Sequence, residues 1–456
     1  MAATLEVLEP ATEQVLDTVP RAGAADVDDA VARAKAAFPA WRAVTPGDRA
    51  RLLERLVAVM EDRHEELALL EARNAGKPIA SARGEIGMAI ATFRYYAAAP
   101  ERPAGETIPV AGGLAFTVRE PMGVVGLITP WNFPLAIACW KMAPALAAGN
   151  CVVLKPAELT PLTALRFERL ALEAGLPEGV VNVVVGPGRE CGERLVEHPD
   201  VAKIAFTGST EVGRSIAATA AQTIKRVTLE LGGKSANIVF ADADVEAAAA
   251  AAPYAVFDNA GQDCCARSRI LVQRQAVDRF LEHLERAVKT MKVGDPLAED
   301  TEMGPLISAG QRESVSAFVD GGATVAFRGH APDGPGFWFP PTVLCPVPDD
   351  HPAVHEEIFG PVAVVVPFDD EADAVRMAND SIYGLSGSIW TRDGAKALRV
   401  ARAVESGNLS INSNSSVRVT TPFGGFKQSG YGRELGPHAT DAYTEVKTIF
   451  YATEGN

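Results

Sequence analysis

Apolar residues first recur with helical spacing over 26–42, where Ala30, Val31, Ala34, Ala37, Phe38 and Trp41 share one face behind a candidate cap at Asp26. The same period predicts a second helix over 48–74, carried by Leu52, Leu53, Leu56, Met60, Leu67 and Leu70 and stopped at Asn74-Ala75-Gly76-Lys77-Pro78. The pattern then changes. Short apolar runs at 123–128, 151–154, 181–185 and 203–206 alternate with helical stretches at 136–148, 159–174, 190–197 and 211–220. Such alternation implies right-handed βαβ crossovers and a parallel sheet, whose ligands bind in the loops after the strands. Those loops are Thr129-Pro130-Trp131-Asn132, Lys155-Pro156-Ala157-Glu158 and Thr207-Gly208-Ser209-Thr210. After Gly232-Gly233 a second series opens with a strand at 236–240 and a helix at 243–260, and strand–helix pairs continue to about residue 412. Two segments stand apart: 105–118 predicts a hairpin around Ala111-Gly112-Gly113, and the alternation over 443–452 predicts a strand. Edge strands of this kind suit subunit pairing.

With 456 residues the chain exceeds what one core serves, so two or more domains are expected. The net charge of -15 is spread along the chain, with no basic run, which argues against a nucleic-acid partner. Glu6 and Glu9 stand where a signal peptide would carry positive charge, and Lys141 and Pro144 interrupt the most apolar stretch, 135–149. The six cysteines include no CxxC pair, and adjacency strains any Cys264–Cys265 bridge. A cytoplasmic protein with no membrane partner and no metal site is expected.

Chemistry gathers at four places. In Phe257-Asp258-Asn259-Ala260-Gly261-Gln262-Asp263-Cys264-Cys265 a helix is expected to end at Ala260-Gly261, leaving the thiols in a turn. A thiol there is either a reactive nucleophile or a small buried hydrophobe. Glu230, between Leu229 and Leu231, is either a general base with a raised pKa or half of a buried ion pair. Asn132, framed by Pro130, Trp131, Phe133 and Pro134, is either a fixed oxyanion donor or a turn residue. Gly208-Ser209-Thr210-Glu211-Val212-Gly213 opens a helix after a strand and suits a pyrophosphate. Its continuation nearly spells a P-loop, with Arg214 in place of the lysine, so a nucleotide-hydrolysing enzyme is a rival reading.

Taken in order, PWNFP at 130–134, KPAE at 155–158, FTGSTEVG at 206–213, LELGGKS at 229–235, GQDC at 261–264, EEIFGPV at 356–362 and PFGGFKQSGYGRE at 422–434 resemble the aldehyde dehydrogenase superfamily across nearly the whole chain. The resemblance implies an α/β fold: a Rossmann-like NAD-binding domain (1–102 and 121–232), a catalytic α/β domain (233–438) and a small β oligomerisation segment (103–120 and 439–456). It implies Cys264 as nucleophile, with Cys265 a neighbour, Glu230 as the base that activates the deacylating water, and Asn132 with the Cys264 backbone N–H as the oxyanion hole. For the cofactor it implies Ile128, Pro130, Trp131 and Gly208 beside Lys155 and Glu158 on the adenosine ribose, Ser209 on the pyrophosphate, and Glu357 and Phe359 on the nicotinamide ribose. A non-catalytic structural member and a CoA-acylating member are the rivals within that fold. The three retained catalytic residues oppose the first, and Glu230 opposes the second.

The chain departs from the common pattern in three ways. Its N-terminus is short, and the small first hairpin is expected to be missing. Asp258 holds a tunnel position where many members carry an aromatic. Arg418 falls in the loop at the tunnel mouth, while Met88, Phe133, Trp140 and Phe423 keep the tunnel apolar. Three readings of the substrate are open. Gly261-Gln262-Asp263-Cys264 is similar to the version in aminoaldehyde-oxidising members, where Asp258 and Asp263 would attract a cationic tail. Arg418 would instead receive a carboxylate, as in a semialdehyde dehydrogenase. Otherwise the charges are solvated at the rim and the substrate range is broad. Glu158 favours NAD over NADP by repelling a 2′-phosphate, with Lys155 softening the preference. A homodimer or homotetramer is expected.

Overall fold

The computed structural model describes residues 3–102, 105–415 and 417–453. The outer limits of the expected segments at residues 1, 103 and 456 fall outside that range.

At the start, β1 (Thr4–Glu9) and β2 (Gln14–Pro20) pair as an antiparallel hairpin. The first hairpin is therefore present, contrary to expectation. Val7 and Val19 bury it against Leu162 and Val185, contacts far along the chain that local periodicity does not register. The first helix runs Ala24–Ala43 and is capped by Gly23, not Asp26, whose carboxylate instead accepts the Gly23 N–H at 2.8 Å. The expected helix over 48–74 is two, Pro46–Asp62 and His64–Ala75, broken at Arg63 while the apolar stripe continues across the break.

Next come β3 (Thr107–Val110), β4 (Gly113–Pro121), β5 (Val124–Ile128), β6 (Cys151–Lys155), β7 (Val181–Val183), β8 (Val201–Thr207) and β9 (Arg226–Glu230). Then follow β10 (Ala236–Val239), β11 (Arg269–Gln273), β12 (Val325–Arg328), β13 (Thr342–Leu344), β14 (Val362–Phe368), β15 (Tyr383–Gly384) and β16 (Ser386–Trp390). The last are β17 (Asn408–Ile411), β18 (Phe426–Lys427), β19 (Gly430–Tyr431) and β20 (Thr444–Ala452).

One sheet has the order β19-β9-β8-β5-β6-β7 and is parallel except for β19. Its strands β5 and β6 are buried along their whole length, the continuous apolar runs that a sheet covered on both faces requires. The other has the order β12-β13-β14-β11-β10-β16-β17 and is parallel except for β12. Each sheet has its own apolar core. A third, antiparallel sheet, β20-β4-β3, joins the two segments that stood apart in the sequence. Among the described residues no helix is long and apolar enough to cross a membrane.

Candidate active site

The helix expected over 243–260 ends early, at Val256. A tight turn then carries Asn259, Ala260 and Gly261 in the left-handed region, with φ of 50°, 55° and 71°. Two non-glycine residues in that conformation mark stored strain at a turn that must be held by its surroundings. The hold is visible: Asn259 Nδ2 donates to the Asn132 carbonyl at 2.9 Å, and Gln262 Nε2 donates to the Asn259 carbonyl at 3.0 Å. Gly261 is obligatory, since a Cβ there would lie 2.1 Å from the Gly360 carbonyl oxygen. The turn delivers Cys264 half-buried and Cys265 fully buried. A hydrogen bond to Cys265, and then burial, hold the Cys264 thiol well above the usual thiol range.

Asn132 stands beside this turn, buried, with Nδ2 donating to the Gln262 carbonyl at 2.9 Å. Its amide carries a second proton that this bond does not use. Lys77, itself fully buried, donates to the Asn132 carbonyl at 2.8 Å and pairs with Glu85.

Glu230 ends β9, where Gly430 of β19 pairs with it. Both its carboxylate oxygens are buried and have no hydrogen-bond partner. Burial first, and then the nearby Glu434 carboxylate, push its pKa well above the usual carboxylate range. The ion-pair alternative is thus assigned elsewhere: Lys141 pairs with Glu434, and both are buried.

A cavity of about 350 Å³ brings these groups together, lined by Glu230, Cys264, Cys265, Thr207 and Glu434 at one part of its wall. Met88, Phe133, Trp140 and Phe423 line it too, and the rings of Trp140 and Phe423 meet edge to face at 5.3 Å. So do Asp258, Asp263 and Glu85, with Arg267 the one basic residue among the described residues that line it. Burial raises all three carboxyls, Glu85 to about 8. Asp258 keeps its carboxylate open to the cavity, with Oδ1 accepting the Asn259 N–H at 3.0 Å. Arg418 departs from expectation. The loop at the mouth lines the cavity through Asn414, Ser415 and Val417, whereas Arg418 is exposed and donates to the Ser415 carbonyl at 3.3 Å. A guanidinium left in water avoids the desolvation that the cavity would impose.

The carboxyl edge of the first sheet holds the other expected residues. Ile128 and Lys155 are register partners on β5 and β6, and β8 on the other side of β5 ends at Thr207, just before Gly208 and Ser209. Lys155 is buried and makes no ion pair among the described residues, while Glu158 is half-buried. Ser209 caps the following helix, its Oγ accepting the Val212 N–H at 3.3 Å. The rings of Trp131 and Phe359 meet edge to face at 5.2 Å across the boundary between the two sheets' sequences. Glu357 Oε1 accepts the Gly233 N–H at 2.8 Å, and burial raises Glu357 to about 7.

Residues 1–449 match the model of the aldehyde dehydrogenase family. The chain belongs to that family. It is 44% identical to an aldehyde dehydrogenase of Emericella nidulans, over 98% of this chain and 92% of that one. It is 43% identical to a betaine aldehyde dehydrogenase of Agrobacterium fabrum, again over 98% and 92%. The NAD+ complex of an aldehyde dehydrogenase from Bacillus cereus superposes with a TM-score of 0.97 at 44% identity, covering 99% of this chain and 94% of that chain. The P-loop reading falls with these matches: the loop at 208–213 belongs to an oxidoreductase fold.

Two acids in the cavity wall of this aldehyde dehydrogenase, Glu85 and Glu434, and the buried lysines that pair with them, Lys77 and Lys141, were given no role in the sequence reading. Glu85 and Lys77 sit on and before an amphipathic helix and look like solvated surface charges. Lys141 did leave a signal, as the only charge in a helix, Pro134–Ala147, whose every residue is buried. Glu434 lay inside a quoted motif without a role, because its partner is 293 positions away in the chain.

Proposed function

We propose that this aldehyde dehydrogenase oxidises an aminoaldehyde to the corresponding acid with NAD. The observation that carries the substrate is the charge of the cavity wall, where Glu85, Asp258 and Asp263 face the apolar tunnel with Arg267 the one basic lining residue among those described. Burial raises all three carboxyls, and the positive charge of Lys77, which pairs with Glu85, offsets this only in part. An ammonium tail supplies further positive charge and would be held more strongly than a neutral or anionic one. Arg418, standing in water, gives no comparable support to a semialdehyde.

In this reading Cys264 loses its proton and attacks the aldehyde carbon. The oxyanion that forms is held by the free Asn132 amide proton and the Cys264 backbone N–H. When bound, NAD would supply the acceptor for the hydride that leaves that carbon, and Cys264 would then carry the acyl group as a thioester. Glu230 then takes a proton from water, whose oxygen displaces the Cys264 sulfur and releases the acid. The residues suited to hold NAD are Ile128, Pro130, Trp131, Lys155, Glu158, Gly208 and Ser209, with Glu357 and Phe359 at the nicotinamide ribose. Two observations fit that group: Lys155 is buried and makes no ion pair among the described residues, and Thr129 Oγ1 and Thr207 Oγ1 at the same sheet edge are buried without partners. Glu158 makes NAD the preferred cofactor over NADP.

The same proposal assigns 1–102 and 121–232 to cofactor binding, 233–438 to catalysis, and 103–120 with 439–456 to a homodimer or homotetramer contact. Val446, Phe450 and Tyr451 on β20 are more than half exposed, an apolar edge suited to pairing. A cytoplasmic location follows from the same reading.

The test measures NADH formation with 4-aminobutanal, hexanal and succinic semialdehyde. The aminoaldehyde is expected to lead in kcat/KM by about tenfold, and parity with hexanal would overturn the substrate assignment. Cys264→Ala is expected to abolish NADH formation with every aldehyde, and Glu230→Gln to give one burst without turnover. Activity in Cys264→Ala with a dead Cys265→Ala would move the nucleophile by one residue.

A further inference from the structure

We infer that Asp263, Cys264 and Cys265 form a capture site for a thiophilic divalent cation such as Zn2+, which silences the enzyme by occupying Cys264. One ligand atom from each residue, two sulfurs and a carboxylate oxygen, lies within 4.8 Å of the others. Zn–S bonds of about 2.3 Å and Zn–O bonds of about 2.1 Å place tetrahedral ligand atoms roughly 3.5–3.8 Å apart. Side-chain rotations that move each atom by less than about 1 Å therefore close the site.

The turn already sets the donors in place. Asp263 Oδ1 accepts the Cys265 N–H at 2.8 Å, which holds the carboxylate against the turn that carries the two sulfurs. Cys265 is 4% exposed and closes the site from the protein side, while Cys264 opens to the 350 Å³ cavity through which a hydrated ion can enter. That leaves the fourth position for water on the cavity side. The cavity's carboxylates draw a dication inward. Two sulfur donors select Zn2+ or Cd2+ over Mg2+ and Ca2+, which prefer oxygen. Binding exchanges two thiol protons for one metal ion and needs no oxidant, unlike a strained disulfide between adjacent residues.

Capture rests on these three side chains alone, whereas silencing rests on the reading of Cys264 as the nucleophile. The experiment separates the two. Reduced, metal-free full-length enzyme is titrated with Zn2+ by calorimetry, with Co2+ by absorption, and assayed for NADH formation with and without a chelator. One equivalent per chain is expected, with a sulfur-to-cobalt charge-transfer band, and activity lost in step with binding and restored by the chelator. Cys265→Ser is expected to bind Zn2+ at least tenfold more weakly, and Asp263→Asn to weaken binding less. Cys265→Ala serves as a second variant should the serine perturb the turn. Unchanged Zn2+ affinity in folded Cys265→Ser or Cys265→Ala, or one-equivalent binding that survives Cys264→Ala, would overturn the site. Tight binding with these losses but full activity would keep the site and overturn the silencing together with the role of Cys264.

Discussion

A Cβ on Gly232 would lie 2.4 Å from Glu357 Oε2, while the neighbouring Gly233 N–H donates to Glu357 Oε1 at 2.8 Å. The glycine pair that follows Glu230 therefore makes the cradle in which Glu357 rests. The atom in the way is the far end of a flexible side chain, so Gly232→Ala is expected to fold and to push the carboxylate aside. If Glu357 holds the nicotinamide ribose, KM for NAD should rise about five- to thirtyfold, one to two kcal/mol of lost binding, with kcat changed less. Steady-state kinetics at saturating aldehyde, with a melting curve to show an intact fold, check this. An unchanged KM would separate Glu357 from the cofactor.

The buried, unpartnered Glu230 carboxyl also makes a statement about stability. Its folded pKa lies above the unfolded value of about 4.3, because burial and then Glu434 disfavour the charge. A group raised in this way contributes stability that is full below the unfolded pKa and lost as pH rises through the folded pKa. Glu230→Gln stays neutral throughout. Its melting temperature is thus expected to match wild type near pH 4–5 and to exceed it increasingly toward alkaline pH, by roughly 1–3 kcal/mol in stability. Denaturation curves across that range measure the difference, and a gap that is constant with pH would refute the neutral carboxyl.

How much of this was legible in the sequence differs by scale. The alternation of β5, β6 and β8 with helices was plain because a sheet covered on both faces needs unbroken apolar runs, and Val124–Ile128 and Cys151–Lys155 are such runs. Cys264, Glu230 and Asn132 stood out by residue type in improbable surroundings, and the fold gathers Cys264 and Glu230 on one cavity with Asn132 bonded to the cysteine turn. What local reading missed depends on distant partners. The β1–β2 hairpin is held by Leu162 and Val185, and the end of the Val245–Val256 helix by contacts to Asn132. Arg63 breaks a helix whose hydrophobic stripe gives no warning of it. The charge inventory of the tunnel was half right. Asp258 and Asp263 line it, Glu85 joins them, and Arg418 does not.

The Lys141–Glu434 pair invites a sharper test than deletion of either acid. Both residues are buried, Glu434 Oε2 has no further partner, and the Glu434 charge contributes to raising Glu230. Removing one member of a buried pair costs about 3–5 kcal/mol, because the survivor is left uncompensated. Lys141→Met is therefore expected to lower stability by that order and to push the Glu230 pKa further upward. The pH at which Glu230-dependent turnover reaches half its maximum should move to higher pH. Lys141→Met with Glu434→Gln removes both charges and should recover most of the stability. A single variant as stable as wild type would mean the pair is not buried as described.

Asp258 is the residue on which the substrate assignment can be tried without disturbing the chemistry. Its Oδ1 accepts the Asn259 N–H at 3.0 Å, at the start of the strained turn that delivers Cys264. Asparagine keeps an oxygen for that bond, so Asp258→Asn preserves the turn and removes only the charge. An ammonium about 6 Å from a carboxylate, at an effective dielectric of about 40 between the protein-surface and bulk-water values, gains about 1.4 kcal/mol, a factor of about ten. The variant is accordingly expected to lose about tenfold in kcat/KM for 4-aminobutanal and less than twofold for hexanal. Added salt should narrow the wild-type preference, because Asp258 is exposed to solvent at the cavity wall and its charge is screened. Equal losses on both aldehydes would show that Asp258 supports the Cys264 turn and has no part in choosing the substrate.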